Sequence, residues 1–576
     1  MSEVPLFARS FFDPERRLTR LGEGDLGGKA RGLVRAQAVL SARGTKKLPS
    51  GIELDVPAMV VLASGFFDSF IERNGLEELL AREACDREIA EAFQAATVPA
   101  EMVGDLRALA AEVQVPLAVR SSSALEDALG QPFAGVYGTK MIPGSQPSAE
   151  ARFRSLLDAV KFVWASTYFS GARAYLASTS HRGERERMAV IVQEVVGCRH
   201  GERFYPDISG VARSYSFYAV GGARPEEGVA DLAVGLGKTI VDGGLCWTFS
   251  PARPEAPPPF ASARERLQAT QTELWAIRVG AAPPYDPMAE AEFLVRAGLA
   301  EAEVDGTLTW SASTYDPASD RLWPGTGRSG PRVLDFAPLL THGEVPLAST
   351  LRELLAVCEQ ELGMPVEIEF ALAVVPRQPV RFGLLQVRPL FVSSELIELD
   401  DARLSAPDCV VRSHTALGNG RRQIEDVLWV DPTRFEARAT PAIAIELERL
   451  NRTLVEQGRP CLLIGFGRWG SSDPWLGIPV RWDQISSARA IVEAALPGMS
   501  PEPSQGSHFF HNLSSFSVLY LTVPVEAGGA IDWNYLAAQP EVCATEHVRH
   551  VRCTAPLVVE VDGRSRLGVV RHSEPT

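Results

Sequence analysis

Two hydrophobic periodicities trade places along this chain. In DVPAMVVLASGFFDSFIERNGL (Asp55 to Leu76) a continuous apolar run gives way to apolar residues at helical spacing, which predicts a buried strand leading into an amphipathic helix. VEIEFALAVVPRQPVRFGLLQVRPL (Val366 to Leu390) reads differently. Two apolar strands flank Pro376-Arg377-Gln378-Pro379, and this predicts an antiparallel hairpin. Side chains two apart on a strand share a face, so Glu367 goes with Glu369 and Gln386 with Arg388, and counting back from the turn sets Glu369 opposite Gln386. Later, Thr440 to Gly458 has a helical pattern, Cys461 to Phe466 reads as an apolar strand, and Gly467 to Trp482 reads as a compact glycine-rich turn. The Pro-rich interval Pro251 to Pro287 predicts a surface excursion around one helix, Ala261 to Val279, and the polar segment Ser393 to Pro407 predicts a linker. Alternating strands and helices predict α/β architecture.

The chemistry concentrates in two places. LAVRSSSALEDALGQPFAGVYGTK (Leu117 to Lys140) joins an apolar strand to Arg120, the hydroxyls of Ser121 to Ser123, a Glu-Asp pair and the flexible Gly135 and Gly138. A guanidinium fork, neutral donors and close main-chain approach together make a polyphosphate-binding surface. The hairpin supplies a carboxylate, an amide and a guanidinium in apolar surroundings. Glu369 and Gln386 are hard oxygen ligands suited to magnesium held jointly with phosphates, and Arg388 suits charge developing on a transferred phosphoryl group. The plainer alternative for these charges is a buried salt bridge within a sheet.

These blocks resemble the nucleotide-binding region of the phosphoenolpyruvate synthase and pyruvate phosphate dikinase family, an ATP-grasp fold in which two lobes clamp ATP. Further pieces follow in the family's order. LGGKARGL (Leu26 to Leu33) is similar to the entry motif, with Lys29 meeting phosphates; KFVWASTYFSGARAY (Lys161 to Tyr175) to a helix ending in a nucleotide-facing Arg173; and AVIVQEVVG (Ala189 to Gly197) to the strand and hinge at adenine. ISGVARS (Ile208 to Ser214) and VGLGKTIVDGG (Val234 to Gly244) resemble two later glycine motifs, the second containing Gly237. The resemblance implies ATP and Mg2+ as cofactors. It implies a nucleotide site of Lys29, Arg120, Arg173, Gln193, Glu194, Val195, Val196, Gly237, Glu369, Gln386 and Arg388, with Glu369 and Gln386 holding the metal.

It implies an ATP-binding region over 15–395 in two lobes (15–188 and 189–395); the polar composition that follows predicts a linker over 396–408, and the helix, strand and loop pattern beyond it, outside the resemblance, predicts a C-terminal α/β domain of unknown role over 409–576. Three departures matter. Lys238 stands where many relatives have an acid, Ser214 replaces a threonine, and neither the swivelling phosphohistidine motif nor the pyruvate-barrel motifs are found. Phosphoenolpyruvate synthesis by this chain alone is therefore not expected.

Composition narrows the class further. With 57 basic against 72 acidic residues the formal charge is −15, which argues against a general nucleic-acid or anionic-membrane partner. Eight scattered cysteines form no CxxC pair, and no apolar run approaches the roughly 18–20 residues of a membrane span; the expectation is reduced thiols and a cytoplasmic protein. Two lookalike motifs fail. GEGDLG (Gly22 to Gly27) spells GxGxxG but lacks the preceding apolar strand, and Ala30 follows GGK where a P-loop needs a hydroxyl.

The tail admits two readings. In one, Arg468, Ser471, Ser472 and Asp473 on the glycine turn form a second site with His508, which is favoured over His511 because Gly506 and Ser507 open space beside it; the histidine accepts phosphate or deprotonates a hydroxyl. In the other, Trp469 and Trp475 are core anchors and the glycines serve turn geometry. The resulting expectation is a Mg-dependent ATP phosphotransferase, kinase or dikinase-like, with Lys29, Arg120, Arg388 and His508 as its catalytic set. The acceptor, a small molecule or a protein histidine, and the oligomeric state are left open. A nucleotide-binding regulatory or scaffold protein and an ATP-grasp ligase are the alternatives.

Overall fold

The computed structural model describes residues 4–14, 16–43, 51–82, 84–126, 135–177, 186–216, 223–242, 244–256, 262–268, 270–341, 345–390, 392, 397–470, 477–495, 518–524 and 530–572. The chain divides into two compact units. The first comprises Met1–Arg173, Gly183–Tyr215 and Ala219–Leu390; the second comprises Phe391–Thr576 with the short pieces Ala174–Arg182 and Ser216–Tyr218.

The first unit is built on two larger sheets. One has five strands in the order Leu18–Leu21, Met59–Leu62, Met188–Glu194, Leu117–Ser123, Thr139–Ile142, with only the first pair parallel. The other has six, in the order Trp247–Phe249, Val229–Ala233, Ile208–Arg213, Val366–Ala373, Val380–Pro389, Ile52–Asp55, with only the last pair parallel. The expected lobe boundary at 188/189 thus runs into a strand of the five-stranded sheet, and Ile52–Asp55 crosses into the six-stranded one.

One apolar core binds them. Val61 and Ile191 from the first sheet, Ile208, Ile368, Phe370 and Leu384 from the second, and Ala30 and Leu33 from the helix Gly27–Arg43 belong to a single buried cluster. The predicted strand and helix after Asp55 form as Met59–Leu62 and Ser64–Arg73, and the helix turns Phe67, Phe70 and Ile71 inward at the spacing its sequence prescribes.

The Pro-rich interval departs from expectation. Instead of a helix over Ala261 to Val279, a helix of six residues, Ala263–Gln268, is followed by the strand Glu273–Arg278. That strand pairs with Leu294–Gly298 in a four-stranded sheet and buries Leu274, Ala276 and Ile277, so it belongs to the fold and is no surface excursion. Alternation at Leu274 and Ala276, completed by a partner some twenty residues on, wins over the helical reading.

The second unit carries a ten-stranded mixed sheet. Gly420–Val430, Cys461–Phe466, Ala488–Ala494 and Leu519–Val523 run parallel side by side, with the helix Thr440–Glu456 crossing between the first two. Its core is a separate cluster that includes Trp429, Ile464, Val492 and Leu521. Within the expected linker, Asp401–Leu404 forms a short helix capped by the Asp400 carboxylate.

Candidate functional site: a carboxylate, an amide and a guanidinium between two sheets

The entry motif is glycine-rich because the helix Gly27–Arg43 lies hard against main chain. A Cβ at Gly27, where φ is +77°, would sit 1.9 Å from the Ser122 carbonyl oxygen, and one at Gly32 would sit 2.4 Å from that of Val387. No other residue fits at either place. This approach carries Lys29 into a buried position, where its Nζ donates to Glu126 Oε1 at 2.7 Å and to Ser121 Oγ at 3.2 Å. Glu126 is held in turn by the Ser121 hydroxyl at 2.9 Å and the Ser123 amide at 2.9 Å, while Ser123 Oγ accepts from the Glu126 amide at 3.1 Å.

The serines therefore act differently from expectation. All three are fully buried, Ser122 Oγ donates to the Leu26 carbonyl, and the hydroxyls fix the turn and the helix start rather than facing a ligand. Gly138 similarly makes room for the Phe162 ring, 2.6 Å from where its Cβ would lie. The motif alone does not mark Glu126 as a site residue, although its Ser-x-x-Glu spacing from Ser123 is a legible capping signal.

Arg120 projects the other way and bridges the two sheets. Its Nη1 donates to the Leu385 carbonyl at 2.8 Å and to Gln193 Oε1 at 3.4 Å. Its Nη2 donates to Gln386 Oε1 at 2.8 Å and to Glu369 Oε2 at 3.2 Å. The hairpin has the register the sequence predicts, with Glu369 paired to Gln386 and Glu367 to Arg388, and a bulge follows Glu369. Two hard oxygens from facing strands thus converge on a single cationic nitrogen. That donor set fits a divalent cation: a carboxylate and an amide carbonyl, already aimed at one positive group.

One pair further along the hairpin, Arg388 bonds to Glu367, whose other oxygen takes Arg213 Nε at 2.6 Å; Arg213 continues to Asp231 at 3.1 Å. The four alternating charges form a neutral ladder across four strands. Arg388 is buried and occupies the in-sheet salt bridge that is the plainer reading of the motif.

The remaining expected residues are distributed around this cluster. Gln193 joins it directly, whereas the Glu194 carboxylate is taken by Arg381, both oxygens at 2.8 Å. Val195 and Val196 are buried, and Val196 packs on Gly383. Gly237 precedes the helical turn Lys238–Val241, where Lys238 pairs with Asp242 at 3.1 Å. Arg173 donates to the Ala84 carbonyl at 2.9 Å and is not brought to Arg120.

Residues 23–403 match the sequence profile of the family described as pyruvate phosphate dikinase, AMP/ATP-binding domain. The chain belongs to this family. No curated protein matches it. Membership makes the first unit a nucleotide-binding domain for ATP or AMP, and its mixed α/β sheets are consistent with an ATP-grasp-like architecture. Among the described residues no helix is long and apolar enough to cross a membrane.

The family match ends before the tail. There the indole of Trp469 is buried against Gly465 and donates to the Val492 carbonyl at 3.2 Å, as a core anchor does, and Gly467 and Gly470 adopt positive φ. Ser471, Ser472, Asp473, Trp475, Gly506, Ser507, His508 and His511 lie outside the described residues. Glu446, Glu546 and His547 come close enough to hold an ion, but the Thr545 hydroxyl, the His547 amide and the His547 ring already engage the Glu446 carboxylate.

Proposed function

We propose that the chain is a magnesium-dependent ATP phosphotransferase, kinase or dikinase-like, whose nucleotide cleft lies between the two sheets of the first unit. The observation that carries this reading is the convergence of Glu369 Oε2 and Gln386 Oε1 on Arg120 Nη2. In the loaded site these two oxygens would hold magnesium, which supplies charge neutralisation on the bridging phosphates. Arg120, released from them, keeps its bond to the Leu385 carbonyl and turns freed donors toward phosphate. Lys29 contributes a second cation, fixed in direction by Glu126. Arg388 contributes a third once the Glu367 contact lengthens, and Gln193 with Val195 and Val196 borders the base. Such a site works by in-line positioning and by cations matched to the equatorial oxygens.

One observation favours a competing reading, nucleotide binding for regulation without transfer. Lys29, Arg120, Arg388 and Lys238 are each already paired with a carboxylate of the chain. Incubation with Mg2+ and ATP labelled separately at the β and γ phosphates separates the two. ADP or AMP with label leaving the nucleotide supports transfer, and AMP with β-label on the protein assigns the dikinase-like route and directs attention to His508. Tight ATP binding without turnover sinks the phosphotransferase reading.

A further inference from the structure

Arg213 stands one strand beyond the Glu369–Gln386 pair, on the same face of the six-stranded sheet. The strand registers place it there. Glu367 pairs with Arg388 on one side and with Arg213 on the other, while the neighbouring row of that face carries Gln386, Glu369 and, beyond Val211, Asp231. Arg213 spans the two rows. Its Nε donates along its own row to Glu367 Oε2 at 2.6 Å, and its Nη1 reaches diagonally to Asp231 Oδ2 at 3.1 Å. The other Asp231 oxygen accepts from the Thr248 hydroxyl at 2.6 Å, and both carboxylates are buried. One guanidinium thus forks between two buried carboxylates, a geometry that a planar set of donors suits and a single ammonium does not.

Sharing Glu367 decides how readily Arg388 can move. Taking the cation away from a buried carboxylate leaves an uncompensated charge, and that is strongly unfavourable. At Glu367 the cost is reduced, because Arg213 stays on one carboxylate oxygen when Arg388 leaves the other, and Arg213 is itself anchored by Asp231. We propose that Arg213 is a positioning residue of this cleft, which makes the Glu367–Arg388 pair exchangeable so that Arg388 can pass to phosphate. Arg213 acts through Glu367 and touches neither nucleotide nor metal. The inference rests on the reading of Arg388 as a phosphate ligand given above.

The test reads Mg2+–ATP affinity by calorimetry, with denaturant unfolding to confirm that each variant of the full chain folds. Arg213→Gln/Asp231→Asn removes the outer ion pair without changing net charge and leaves Glu367 facing Arg388. This double variant is expected to bind Mg2+–ATP about tenfold more weakly than the wild type, and adding Glu367→Gln, which releases Arg388, should restore most of the affinity. A role confined to holding the sheet together predicts no such rescue. Arg213→Lys makes the same comparison with a milder change: a loss of about threefold, absent when Glu367→Gln is also present. Unchanged affinity in the folded double variant, or the same loss with and without Glu367→Gln, overturns the proposal. Arg388→Ala separates this from the reading beneath it. If Arg388→Ala weakens binding and the Arg213 variants do not, only the role of Arg213 falls; if Arg388→Ala binds Mg2+–ATP as the wild type does, the phosphate role of Arg388 falls and the proposal with it.

Discussion

Removing Arg120 should make the site bind metal better when no nucleotide is added. Its Nη2 holds the two oxygens, Glu369 Oε2 at 3.2 Å and Gln386 Oε1 at 2.8 Å, that a divalent cation would need. A hydrogen bond to a charged group contributes about 1.5–3 kcal/mol. The Arg120 and Glu369 side chains are 13% and 18% exposed, so solvent screens part of this. The lower end for two bonds, about 3 kcal/mol, corresponds to about a hundredfold in affinity. Arg120→Ala should therefore raise Mn2+ affinity without nucleotide by about that factor, read by paramagnetic resonance of free Mn2+. With ATP present the sign reverses, since a phosphate-facing charge has been lost. A folded variant whose nucleotide-free Mn2+ affinity is unchanged or lower would refute the idea that the guanidinium sits in the metal's place.

Lys29→Met should strand the buried Glu126 carboxylate and cost about 3–5 kcal/mol of stability; Lys29→Met/Glu126→Gln should regain most of this in denaturant titration, and wild-type ATP affinity in that double variant would remove Lys29 from the phosphate site. In the second unit Glu493 is fully buried; burial raises its carboxyl to about 7, against the Tyr520 hydroxyl and Arg468, which lower it. A raised carboxyl means that the folded state holds the proton more tightly, so this stabilisation is complete below the unfolded value of 4.5 and is lost as pH rises through about 7. Glu493→Gln should therefore match the wild type near the acid end of that window and exceed it by up to about 3 kcal/mol above its upper end. A constant difference across a pH series of hydrogen-exchange protection in residues 488–494 would contradict the assignment.

The sequence by itself determined what depends on neighbours along the chain. Period-two alternation set Glu367 with Glu369 and Gln386 with Arg388 on shared faces, the bulge after Glu369 brings Gln386 opposite it, and helical spacing set Ser64–Arg73 and Thr440–Glu456. A side chain's face is fixed by the backbone that carries it. Only the tertiary structure decided which charges meet. Arg120 reaches Glu369 across 249 positions and Lys29 reaches Glu126 across 97, because two sheets and a helix without side chains at Gly27 and Gly32 close on one core. The same packing turned the serines of the phosphate motif inward, drew Arg388 into a ladder with Glu367 and Arg213, and made a strand of Glu273–Arg278 through its partner Leu294–Gly298. Local periodicity assigns faces, whereas ion pairs and cross-sheet contacts depend on which distant surfaces are pressed together, and no local window of the sequence contains both partners.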